Sequence, residues 1–191
     1  MQDQKANMNA FIKVVSWSFG LLLIGFSVFV SLETISRKLF DFSFQGADEL
    51  GGYILAVCGS LAFSLALLER GHVRIDFIYD RLSRKSRSVL NWLSVMCMAA
   101  VGLFFARYCY VVIRDTISYG STAATPWATP LIYPQSLWYA ALLIFTLTSL
   151  GLAIWATVWL CQGKTHQINQ HFGPKSSMEE LQDELTDIQQ R

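Results

Sequence analysis

Four long stretches of this chain are apolar and free of charge. Residues 14–32, 50–68 and 88–106 each run nineteen positions without an ionisable acid or base, bounded by Lys13 and Glu33, by Glu49 and Glu69, and by Arg87 and Arg107. Nineteen helical residues rise about 28 Å, close to the roughly 30 Å hydrocarbon thickness of a bilayer. The third stretch stays apolar beyond Arg107 to about residue 112, so Arg107 is expected to snorkel or pair in the interface. The fourth runs over 136–161, with Trp138 and Tyr139 near one end and Trp155 and Trp159 near the other, as in interfacial aromatic belts. The first stretch is longer than the apolar region of a secretory signal and shows no convincing cleavage site, so it is expected to be a retained span. The pattern predicts an all-α integral membrane protein with four transmembrane helices, over about 14–32, 50–68, 88–112 and 136–161.

The segments between the spans are also patterned. In 33–49, Ile35, Leu39, Phe40, Phe42 and Phe44 alternate with Arg37, Lys38 and Asp41. Such a mixture predicts a short amphipathic segment in the membrane interface, broken at Gly46, with Asp48 and Glu49 at the positive end of the next helix. In the central loop, Asp76 is a plausible N-cap, and Phe77, Ile78 and Leu82 recur near helical spacing, predicting a second short interfacial helix. Residues 116–135 carry no charge and hold Pro126, Pro130 and Pro134, which predicts a loop that packs on something. After Gly163 the chain turns polar. Ser177 and Glu180 have capping-box spacing, and Met178, Leu181, Leu185 and Ile188 follow at helical intervals. The division expected is a four-span membrane domain, 1–163, and a cytoplasmic tail, 164–191, with a short amphipathic helix.

Composition agrees with a membrane protein. Hydrophobic residues make up 53% and charged residues 15%, whereas a soluble domain carries about 25% charge. What matters is where the charges fall. Six basic residues (Arg70, Arg74, Arg81, Arg84, Lys85, Arg87) sit between the second and third spans. With Lys5, Lys13, Lys164, Lys175 and Arg191 they make eleven on one side, against Arg37, Lys38 and Arg114 on the other. The positive-inside rule then predicts that both termini are cytoplasmic. The net charge of +1 gives no reason to expect a nucleic-acid partner.

The chemistry is informative through what the spans lack. None of His72, His166 and His171 lies in a span, which argues against a haem held by axial histidines. Glu33, Glu49 and Glu69 lie at span ends, whereas ion and proton carriers keep ionisable groups at depth. Cys58, Cys97, Cys109 and Cys161 occur singly and read as small buried side chains. No hydrolase, metalloprotease or nucleotide-binding motif is present. No catalytic residue, substrate site, metal or cofactor is therefore expected. Gly52, Ala56, Ser60 and Ser64 are spaced four apart on the second span, a small-residue face of the kind over which membrane helices associate. These features suit a non-catalytic accessory subunit. The alternatives are a stand-alone four-span protein, either a homo-oligomeric channel or a redox or enzyme subunit.

The sequence Gly46-Ala-Asp-Glu-Leu-Gly-Gly-Tyr53, a small-residue span, and then Glu69-Arg-Gly-His-Val-Arg-Ile-Asp76 resemble the DctQ-type small membrane subunit of tripartite ATP-independent periplasmic (TRAP) transporters. Arg37-Lys-Leu-Phe40 after the first span and the Pro-rich loop before the fourth fit the same family. The resemblance covers roughly residues 10–162. It implies a bacterial inner-membrane subunit that scaffolds a large, sodium-coupled transport subunit and helps dock a periplasmic binding protein for organic-acid uptake. The expected partners are that large subunit in a stable complex, the binding protein transiently, and membrane lipid. On this resemblance Gly52, Ala56, Ser60 and Ser64 face the large subunit. Arg37, Lys38 and Glu49 meet lipid or the binding protein, and His72, Arg74 and Asp76 hold the central loop in shape.

Overall fold

The computed structural model describes residues 2–68, 82–173 and 185. Among these residues there are five helices and no strand: α1 (Gln2–Phe40), α2 (Ala47–Leu68), α3 (Arg84–Tyr119), α4 (Ile132–Cys161) and α5 (Thr165–Phe172). The first four contain stretches long and apolar enough to cross a membrane: Ser16–Phe40, Ala47–Leu68, Arg84–Tyr119 and Ile132–Cys161. The all-α, four-span architecture is as the hydrophobic pattern predicts. The loop helix expected from Asp76 and, apart from Leu185, the tail helix expected around 177–188 lie outside the described residues.

The helices overrun the charge-free windows. At 1.5 Å per residue, the 36 residues of α3 and 30 of α4 are about 54 Å and 45 Å long, more than a hydrocarbon core needs. Span one does not stop at Glu33, because Arg37 pairs with that carboxylate one turn on at 2.9 Å and the helix continues. The break expected at Gly46 comes earlier, at Asp41 (φ 51°), a residue type that tolerates the left-handed region. Residues 42–46 then cross to α2. The loop expected over 116–135 is shorter, since 116–119 finish α3 and Ile132 begins α4.

Helix ends follow local rules. Ser83 caps α3, its Oγ accepting from the Ser86 N–H at 3.3 Å. Gly120 (φ 59°) and Gly163 (φ 68°) end α3 and α4 in left-handed turns. There the N–H groups of Ser121 and Lys164 reach back to the carbonyls of Thr116 (3.1 Å) and Trp159 (3.0 Å).

Contacts divide the chain into two compact units. The first comprises Met1–Leu65 and Ala106–Leu143, the second Ala66–Phe105 and Ile144–Arg191. The second holds a core of Val95, Ala99, Ala153, Ala156, Ile168 and Phe172, flanked by Trp92, Leu150, Leu152, Trp159 and Leu160. Within it the Trp92 indole donates to Thr157 Oγ1 at 2.9 Å, and Thr146 donates to the Gly102 carbonyl at 3.0 Å. On the described part of α1, Trp17, Leu21, Ile24, Val28 and Leu32 are all exposed. In water such a surface would be a liability, whereas hydrocarbon is its natural solvent.

Candidate functional site

The residues that stand out in the first unit are two carboxylates. Glu33 is 1% exposed and Glu49 6% exposed, in a chain whose surface is largely apolar. A buried carboxylate is tolerable only when its oxygens are satisfied. Glu33 receives the Arg37 guanidinium at 2.9 Å, the Ser43 hydroxyl at 2.5 Å and the Phe44 N–H at 2.7 Å. Two of these donors belong to the crossing that follows α1. The carboxylate therefore ties the last turns of α1 to the segment that leads into α2. Ser43 passes the constraint on, its Oγ accepting from the Gln45 N–H at 3.1 Å.

Glu49 does the equivalent for α2. It accepts from the Tyr53 hydroxyl one turn on at 2.8 Å and from the Thr125 hydroxyl across the unit. Thr125 sits at the tip of the uncharged loop. That loop folds back on itself through a Thr122–Pro130 bridge, with the Ala123 N–H on the Thr129 carbonyl at 2.9 Å. Its neighbour Trp127 lies over Gly46 so closely that any Cβ there would overlap the indole ring. Gly51 makes the same allowance for Phe26, whose ring edge would stand 2.8 Å from an added Cβ. The loop packs on something, as its lack of charge suggested, and that something is the start of α2. At its base the Thr116 hydroxyl donates to Gln135 Oε1 at 2.7 Å, joining the end of α3 to the start of α4.

This geometry gives physical content to the Gly46–Tyr53 motif. Gly46 seats the indole, Glu49 holds the loop tip, Gly51 admits Phe26, and Tyr53 completes the carboxylate's shell. In the sequence Glu33 and Glu49 stand out only as acids at span ends, and Thr125 and Trp127 carry no local signal of a role. The available signal was the combination of an acid at a span edge, a base four residues on, and a loop with hydroxyls but no charge.

The other expected site residues are dispersed. The small-residue face of α2 is split: Gly52 is exposed and Ala56 half-buried, but Ser60 and Ser64 are 4% and 5% exposed. Ser60 donates to the Ala56 carbonyl at 2.8 Å, while the buried Ser64 hydroxyl has no partner among the described residues. Lys38 is exposed and Arg37 half engaged with Glu33. His72, Arg74 and Asp76 lie outside the described residues.

The second unit has a neutral counterpart that the sequence did not announce. The Asn169 side chain on α5 accepts from the Ser88 hydroxyl (3.1 Å) and the Asn91 amide (3.0 Å), and donates to the Arg84 carbonyl (3.0 Å). Ser88 and Asn91 are fully buried, and so is Ile168 beside them on α5. Among the described residues no group of His, Cys, Asp and Glu is placed to hold a metal ion.

The buried carboxylates and amides of the described residues are thus spent on holding the chain's own turns and loops. They form no reactive constellation. No curated protein matches the chain. The family model for tripartite ATP-independent periplasmic transporters, DctQ component, matches residues 26–158, a range that holds both carboxylates, the Gly46–Tyr53 motif and the whole loop they anchor. That family is a transporter component and not a catalytic one, and its place is the small, multi-pass subunit in the inner membrane, associated with a large membrane subunit and a binding protein. With well over half of its 191 residues matched, this chain belongs to the DctQ component family of the tripartite ATP-independent periplasmic transporters.

Proposed function

We propose that the chain acts as a passive brace: it widens and steadies the large transport subunit in the bilayer and helps present a docking surface to the binding protein. The observation that carries this reading is that Glu33 and Glu49, the buried carboxylates of the described residues, are both consumed by contacts within the chain. A protein that moved an ion or solute itself would need such groups along a pathway. In this reading the exposed Gly52 and half-buried Ala56 face the large subunit, where small side chains let helices approach. The buried Ser60 and Ser64 support that face from within. Arg37, Lys38 and the Glu49-anchored loop lie at the outer interface, near lipid or the docked binding protein. His72, Arg74 and Asp76 shape the central loop.

The proposed topology has both termini in the cytoplasm, supported by the eleven-to-three distribution of basic residues. It places the loop 120–131 on the periplasmic side, where a binding protein could reach it. The division into a membrane domain, 1–163, and a cytoplasmic tail, 164–191, belongs to the same reading. Sodium coupling and an organic-acid cargo rest on the family resemblance. The test is uptake in cells that make the large subunit and binding protein with or without this chain. The proposal expects uptake to be lost without it while the large subunit still inserts. Undiminished uptake would overturn it.

A further inference from the structure

The second unit carries a feature that bracing does not use. Along α3 and α4 runs an open groove of about 350 Å³, lined by Met96, Ala99, Leu103, Leu150, Ile154 and Thr157 among others. Its concavity comes from small residues, Ala99, Ala100 and Ala153, set between larger ones. Its polar member is spent: the Thr157 hydroxyl accepts from Trp92 and donates to the Ala153 carbonyl at 2.7 Å. The groove therefore offers an occupant only apolar contact.

Exposed cations stand at the polar end of the described part of the same unit. The described residues of this unit include Arg84, Lys85, Arg87 and Lys164 and no Asp or Glu. All four cations lie at the end where α5 packs, and Arg84, Lys85 and Lys164 are exposed. The Ser88 hydroxyl meets the Thr165 carbonyl at 3.1 Å, which sets the start of α3 and the start of α5 at one level. From that level Met96 lies about 12 Å and Leu103 about 22 Å along α3. Half of the hydrocarbon core is about 15 Å. Lys85 precedes Met96 by about three helical turns and so stands on the groove's face of α3.

We propose that this unit binds an anionic phospholipid, an acyl chain lying in the α3–α4 groove and the headgroup phosphate held by Lys85, Arg84 and Lys164. An apolar slot at acyl-chain depth beneath exposed cations is complementary to an anionic amphiphile. A helix of a partner protein would match the slot and leave the cations unanswered.

The test uses the complex with its large subunit, stripped of lipid in detergent and titrated with phosphatidylglycerol or with phosphatidylcholine of identical chains. Bound lipid is counted by native mass spectrometry. The expected result is preferential retention of phosphatidylglycerol. Lys85→Gln and Lys164→Gln should each lower that retention about fivefold, since each cation near an anionic group contributes on that scale. Ala100→Trp should fill the groove and release the lipid while the large subunit stays bound. Equal retention of the two lipids by the wild-type complex would overturn the proposal, and needs no variant. So would charge variants that leave the preference unchanged, or an Ala100→Trp variant that sheds the large subunit, which would make the groove a protein contact.

Discussion

The two units solve the same problem by different means. Each must hold a chain crossing or a short segment against long apolar helices. The first unit uses carboxylates, Glu33 on the crossing between α1 and α2, and Glu49 on the loop between α3 and α4. The second uses amides and a hydroxyl, with Asn169 of α5 bridging Ser88, Asn91 and the Arg84 carbonyl. A buried charge must be surrounded by donors, so it recruits several segments and depends on all of them. The neutral network joins α5 to the start of α3 with no charge to neutralise, and losing one member costs about what an orphaned donor or acceptor costs. The difference extends to the surface. The first unit pairs Arg37 with its own Glu33, while the described part of the second has no carboxylate and leaves Arg84, Lys85 and Lys164 exposed.

The largest effect should follow from removing the charge that organises most partners. Glu33→Ala takes the shared acceptor from the Ser43 hydroxyl and the Phe44 N–H of the crossing and the ion-pair partner from Arg37. The variant is expected to lose most of its folded yield, measured as the monodisperse fraction in detergent chromatography. Glu33→Gln keeps the shape and part of the hydrogen bonding, and should fall between it and wild type. If both variants matched wild type, Glu33 would not organise the turn.

Next is the seat of the loop. Gly46→Val should displace Trp127, with an overpacking cost of about 1–3 kcal/mol. Adding Trp127→Ala should recover much of it. Thermal unfolding of the two variants and their combination reads the coupling, and additive effects would contradict the contact.

In the neutral network, Asn169→Ala should cost about 1–3 kcal/mol, a few degrees in midpoint, since it takes one acceptor from both the buried Ser88 hydroxyl and the buried Asn91 amide. Combining it with Asn91→Leu, which removes one of those donors, should cost less than the sum. Additivity there would mean that the amides do not act together.

The smallest effect on the chain itself is expected at Gly52. An added Cβ there meets nothing within 4 Å. Gly52→Leu should therefore change the isolated subunit's stability by no more than about 0.5 kcal/mol, as exposed positions usually do. Binding to the large subunit should weaken nonetheless, and unchanged co-purification would remove Gly52 from the proposed contact face.

The spans were legible because charge-free length is the main requirement bilayer physics imposes on a helix. Their ends were less so. A charge reads as a boundary in sequence, yet Glu33 is neutralised by Arg37 one turn later and the helix runs on to Phe40. The loop over Gly46 was legible only as an absence of charge, because a Trp–Gly contact across some eighty residues leaves no local pattern. α5 was hidden for a different reason. Thr165–Phe172 is polar in composition, and it is held to the second unit by two apolar residues, Ile168 and Phe172, together with Asn169, the Thr165 carbonyl and the His171 ring against Trp159. Within the small-residue face, spacing could place four residues on one side of α2 but could not say that Ser60 and Ser64 are buried while Gly52 is exposed.

The central claim is that this chain works as a bracing subunit and not alone. A tagged chain purified from its native membrane in mild detergent, with the mass and composition of the particle measured, tests it most directly. The account predicts a particle containing this chain and one large multi-span subunit in fixed ratio. A particle made of this chain only, as a monomer or as a ring of copies, would contradict it.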